Sequence, residues 1–210
     1  GVIVGSLFIP YAIAYFIIAF NIYWLYRSAQ LAIHATLGYL NIKATQKVNW
    51  KNKLPEGYKK IWHIIIIPNV KEPIELIERN LDSLANQTFP TGKLMVVVAM
   101  EERAGRDFNQ KRSKQILRKY RNKFGQIITT FHPLKPGETI GKHSNEAYAA
   151  KVAKRLLVDQ KKIPIENITV TTSDIDCVFP KEYFSLLTYK FLTSRQPFNE
   201  FFQAPLFMYN

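Results

Sequence analysis

Asp174 and Asp176 stand one residue apart in the stretch VTTSDIDCVFP (170–180), behind a β-branched run and ahead of a Phe-Pro pair. In an extended segment, residues i and i+2 point the same way. Two carboxylates would then face one point while Ile175 turns inward. Hard divalent cations such as Mg2+ or Mn2+ take a carboxylate or two together with phosphate oxygens and water. A cation held there would neutralise a leaving diphosphate. An isolated Asp-x-Asp equally suits a turn cap beside a solvated carboxylate. Its place between a strand and a helix favours the metal-binding reading.

A second chemical stretch is PGETIGKHSNEAYAA (136–150). Gly137 and Gly141 have three residues between them instead of four, and His143 stands where a Walker-type site needs Ser or Thr. That excludes an ordinary P-loop. A Gly141-Lys142 pair at a helix start still suits an anion, through free backbone N–H groups and the lysine charge. Asn145 is placed to hydrogen-bond a ligand or the backbone. On this stretch alone, a capped helix with a solvated lysine is an equal reading.

The elements that must position these groups alternate. Residues 61–68 (IWHIIIIP) and 93–100 (KLMVVVAM) are continuous apolar runs, the pattern of strands buried on both faces. Residues 126–131 and 167–173 read as two further strands, the second a buried one that ends at the aspartates. Between and after them, 73–87, the basic stretch 109–124, 144–157 and 181–192 have helical spacing. Such alternation implies an α/β fold with a mostly parallel sheet flanked by helices. Ligands then bind at the carboxyl ends of the strands, where Pro68-Asn69, Glu101-Glu102 and Asp174/Asp176 stand.

The N-terminus is different in kind. No charged residue occurs from Val2 to Tyr26, and a helix of that length, about 37 Å, matches a transmembrane span. Tyr23, Trp24 and Tyr26 precede Arg27 as an aromatic belt would, and the lysines that follow place the rest on the cytoplasmic side. Residues 28–42 read as an interfacial helix and 43–60 as a basic linker, which leaves 61–210 as the folded domain. The closing FFQAPLFMYN reads as a cut through that domain. A net charge of +13 implies an anionic partner, 47% hydrophobic residues exclude a disordered chain, and the single Cys177 excludes a disulfide framework. The aromatics are not interleaved with the basic residues, so no nucleic acid is expected.

Taken together, IIIIPNVKEP, LMVVVAMEERAG, GKHSNEAYAA, TTSDIDCVFPKEYF and FFQAPLFMYN resemble glycosyltransferase family 2, specifically its membrane-embedded, processive-synthase-like members. The resemblance covers roughly 61–210 in the family's order and spacing. It implies a GT-A-type nucleotide-binding fold, incomplete at the C-terminus, a nucleotide-sugar donor, and Mg2+ or Mn2+. By it, Asp174 lies near the donor's ribose or diphosphate and Asp176 ligates the metal with Asp174. Lys142 and Asn145 match the family's Gly-Lys-x-x-Asn and line the donor pocket. Pro68 ends the first strand beside the nucleotide, with Glu72 near an acidic position. Glu101 or Glu102 stands where the family has a base-binding aspartate.

The implied activity is sugar transfer, with inversion, to a lipid or polysaccharide acceptor at the cytoplasmic face of the cell membrane. The general base is expected beyond residue 210, so this stretch alone should not catalyse transfer. The alternative is a non-catalytic, membrane-anchored basic module that binds acidic lipid or nucleotide as a regulator.

Overall fold

The computed structural model describes residues 8–133, 137–139 and 141–204. The chain divides into two compact units, one of residues up to Val48 with those from Gln203 onward, the other Asn49–Phe202.

In the first unit a single helix, α1 (Pro10–Gln46), starts with proline in its first turn, where a missing N–H costs nothing. It buries no residue, and large apolar side chains from Tyr11 through Leu40 are exposed around it. The two helices expected over 2–26 and 28–42 are therefore one, because no glycine or proline interrupts the helix-forming residues around Arg27. The expected membrane span is not shown: among the described residues, no helix is long and apolar enough to cross a membrane. Tyrosines, Asn21 and Arg27 dilute the apolar run, and its first residues, 2–7, lie outside those described.

The second unit is a four-stranded parallel sheet in the order β3-β2-β1-β4. Its strands are β1 (Trp62–Asn69), β2 (Leu94–Glu101), β3 (Gln126–His132) and β4 (Ile168–Thr172). The helices are α2 (Ile74–Ala85), α3 (Arg106–Tyr120), α4 (Lys142–Lys154, continued by a π-type turn over Arg155–Gln160) and α5 (Tyr183–Thr193). Alternation along β1 and β2 sends side chains to both faces. Ile65, Ile67, Val96, Val98 and Met100 meet α2, α3 and α5 through Ile77, Leu81, Ile116, Tyr120 and Phe184. Ile64, Ile66, Met95, Val97 and Ala99 meet Ala149, Ala153 and Leu157 of α4 and its continuation. The alanines let α4 lie close to the sheet.

Two expectations change. Part of the expected linker is folded: Tyr58 packs on Phe89, and Lys51 N donates to Glu182 Oε2 at 2.9 Å. β4 is not fully buried; Val170 is 57% exposed, because β4 is an edge strand among the described residues. The segment 205–210 lies outside them.

His63 interrupts the apolar run of β1 and is fully buried between Phe89 and Phe184, with ring centroids 4.8 and 5.0 Å away. The Thr188 hydroxyl donates to Phe184 O, so it accepts from His63 Nε2–H at 2.8 Å. Nδ1 then accepts from the Thr169 hydroxyl at 2.5 Å. This neutral ring has no room for a second proton, and burial lowers its pKa from 6.5 to about 3. The unfolded chain therefore takes up a proton that the native chain refuses. Stability is complete above pH 6.5 and falls as the pH drops toward 3, by ~2 kcal/mol at pH 5. Urea unfolding across this range should show that slope, and a His63→Gln chain should lose most of it.

Candidate functional site

The strand order reverses between β1 and β4, the place where an open parallel sheet forms a ligand crevice beyond its carboxyl ends. The loops after β1 and β4 flank it, with the start of α4 alongside.

After β4, Ser173 N donates to Ile66 O at 3.1 Å, which ends the strand against β1. The chain then turns, with Cys177 N donating to Asp174 O at 3.2 Å. Ile175 is buried in the core and both aspartates are exposed, as the alternation expects. The aspartates sit in a turn, however, and not in an extended segment. The turn is held from beneath by Asn80 of α2, fully buried, whose Nδ2 donates to Ser173 Oγ at 3.2 Å and Asp174 O at 3.1 Å. Asn80 had no motif to announce it. Its signal was only a polar residue at a core position, between Ile77 and Leu84.

α4 begins at Gly141, whose φ of +151° lies where side chains are rarely tolerated. The Ser144 hydroxyl donates to Gly141 O at 2.9 Å. Lys142 Nζ reaches Asp174 Oδ1 at 2.5 Å and Glu146 Oε1 at 3.8 Å. The bond to Asp174 raises the lysine pKa and keeps it charged. Asp176 accepts no hydrogen bond from a described side chain.

Asn145 is fully buried, and its Nδ2 donates to Ala99 O at 2.8 Å. Asn69, at the end of β1, donates to the same carbonyl at 3.2 Å. Asn145 thus fixes α4 to β2 and does not present an exposed amide. Pro68 is half-buried at the penultimate position of β1. The Glu72 carboxylate turns into its own loop, accepting from Val70 N at 2.6 Å. Of the two glutamates at the end of β2 and just after it, Glu101 is buried, ion-paired to Arg103, while Glu102 is exposed. Glu101's backbone oxygen accepts from Asn109 Nδ2 at 2.8 Å.

The structure therefore brings Lys142 and Asp174 together and seats Asn145 beneath them, while Glu72 and Glu101 are engaged locally. Among the described residues, no group of three or more His, Cys, Asp or Glu side chains is placed to hold a metal alone. Asp174 and Asp176 offer an oxygen-only donor set. That set suits Mg2+ or Mn2+ when phosphate and water complete the shell.

No protein-family model matches the chain, and no curated protein does. Among solved structures, the chain is similar to the mannosyltransferase PcManGT from Pyrobaculum calidifontis, solved in complex with GDP-Man and Mn2+, with 22% identity and a TM-score of 0.38. The match covers 74% of this chain and 39% of that one, so the chain spans well under half of its length. A likeness of that size assigns neither ligand nor reaction.

Replacing Asn80 by Ala removes its hydrogen bonds to Ser173 Oγ and Asp174 O, the latter still accepting from Cys177 N, and should cost ~1–3 kcal/mol in urea unfolding. Lys142→Met, at an exposed pair, should cost under ~1 kcal/mol in the same measurement.

Proposed function

We propose that the chain is the donor-binding part of a membrane-associated glycosyltransferase. It would take a nucleotide-sugar donor with Mg2+ or Mn2+ and pass the sugar, with inversion, to a lipid or polysaccharide acceptor at the cytoplasmic face of the cell membrane. The observation that carries this reading is the contact of Lys142, at a glycine-led helix start, with Asp174 of the Asp-x-Asp turn at the strand-order reversal. The motif resemblance supports the same assignment. The apolar surface of α1 and the lysines that follow it support membrane association.

In this reading Asp174 and Asp176 hold the metal, which when bound supplies positive charge to a leaving diphosphate. Lys142 moves from Asp174 to a phosphate oxygen, and the free N–H groups at the α4 N-terminus face the same anion. Gly141 lets the backbone approach without a side chain in the way; among the described residues, none but its chain neighbours and its own helix's backbone comes within 4 Å of where its Cβ would be. Asn145 and Asn80 keep the two walls in register. The proton-accepting base is assigned to none of the described residues.

A second reading, a non-catalytic basic module, is favoured by one observation: Lys111, Lys114, Arg118 and Arg121 form an exposed stripe along α3 and its C-terminal end. Steeply salt-dependent binding to acidic vesicles, without nucleotide-sugar binding, would select it.

Calorimetric titration of the chain with UDP- or GDP-sugar should show binding that requires Mn2+. Asp176→Ala should weaken the metal-dependent affinity at least ~tenfold with no change in thermal unfolding. Equal metal-dependent binding by the variant would overturn the assignment.

A further inference from the structure

Arg112 lies mid-way along the most basic helix of the chain, yet it is only 6% exposed. Its Nη1 donates to Val70 O at 3.2 Å and its Nη2 to Glu72 O at 2.5 Å. Phe108, one turn earlier, covers the guanidinium at 5.0 Å. Burial lowers the arginine pKa, and the charges of Glu72 and Glu75 pull it back. The neighbouring inward positions Ile116 and Tyr120 are filled by large apolar or aromatic groups. A buried cation is a costly choice where packing alone is needed.

What a guanidinium adds is a rigid fork that holds two acceptors at once, which lysine cannot reproduce. Here it draws two carbonyl oxygens of the β1–α2 loop toward α3, the helix that packs on β3. Bonded to the guanidinium, those oxygens are less free to repel an incoming anion. Glu72 closes the same loop from within through its bond to Val70 N.

We propose that Arg112 is a positioning residue for the crevice: through the Val70 and Glu72 carbonyls it holds the β1–α2 loop in the shape that admits a nucleoside diphosphate. This rests on the donor-site reading above.

The test uses the full chain with Arg112→Lys and, from the other side of the latch, Glu72→Gln. Hydrogen exchange is followed at residues 70–73 and in the β1 and β2 core, and affinity for UDP and GDP is measured with Mn2+. In Arg112→Lys we expect exchange at 70–73 to rise about tenfold with core protection unchanged, and affinity to fall about tenfold. Glu72→Gln should move both in the same direction. In an Arg112→Ala chain, methylguanidinium should restore affinity and methylammonium should not.

If the native chain binds nucleotide and Arg112→Lys binds it equally well, the positioning role is overturned while the donor-site reading stands. If the native chain binds no nucleoside diphosphate, the donor-site reading fails. The latch is then decided by exchange alone, and unchanged exchange at 70–73 overturns it. Loss of core protection in both variants would assign Arg112 a global structural role and overturn the local one.

Discussion

β1 and β2 have almost no face that water touches: Ile64 to Ile67 and Leu94 to Met100 are all buried. A strand with apolar side chains on both faces requires helices on both sides, and strand-to-helix alternation meets that demand with a parallel sheet. Everything else follows from this burial. The central pair fixes β3 on one flank and β4 on the other, so the order reverses beside β1. α2 after β1 and α5 after β4 pack on the same face of the sheet, while α4, which leads into β4, packs on the other. The place of the Asp174 turn beside β1 is thus a consequence of how the core is buried.

Apolar packing places these loops near one another but does not fix them to better than a side-chain rotamer. Four buried polar side chains do that. Asn145 and Asn69 both donate to the Ala99 carbonyl, one from α4 and one from the end of β1. Asn80 holds the Asp174 turn from below. Arg112 holds the β1–α2 loop from the side. Each lies in a position that would otherwise be apolar. Each donates to at least one backbone carbonyl, so its removal loses that hydrogen bond.

The fold was largely legible in the residues. The apolar runs named β1 and β2 to within one residue of their ends, because burial on both faces leaves no polar interruption. The start of α4 was legible from Gly141-Lys142, and the inward Ile175 from strand alternation. What was not legible were contacts between residues distant in the chain. Asn80 and Arg112 look like an ordinary helix asparagine and one more charge in a basic helix. Only the folded chain shows that Arg112 faces Val70, 42 positions away. The extended geometry assumed for Asp174 and Asp176 also failed, since the turn depends on Asn80. The uncharged N-terminal run marked a helix, but not that the helix continues unbroken to Gln46.

The contrast between these buried bonds and the Lys142–Asp174 pair bears on how the crevice works. Lys142 is 45% and Asp174 65% exposed, so water and salt compete with the pair and its net worth is small. A tight, buried pair would have to be broken at high cost before either group met a ligand. An exposed one costs little to part. In the donor-site reading proposed above, the lysine would neutralise Asp174 before a ligand arrives and would then stay charged within reach of its phosphates. Around it, the groups that must not move are buried and bonded to backbone. Rigid walls joined by a weak, exchangeable ion pair are the division of labour expected of a site whose charges are rearranged on every binding event.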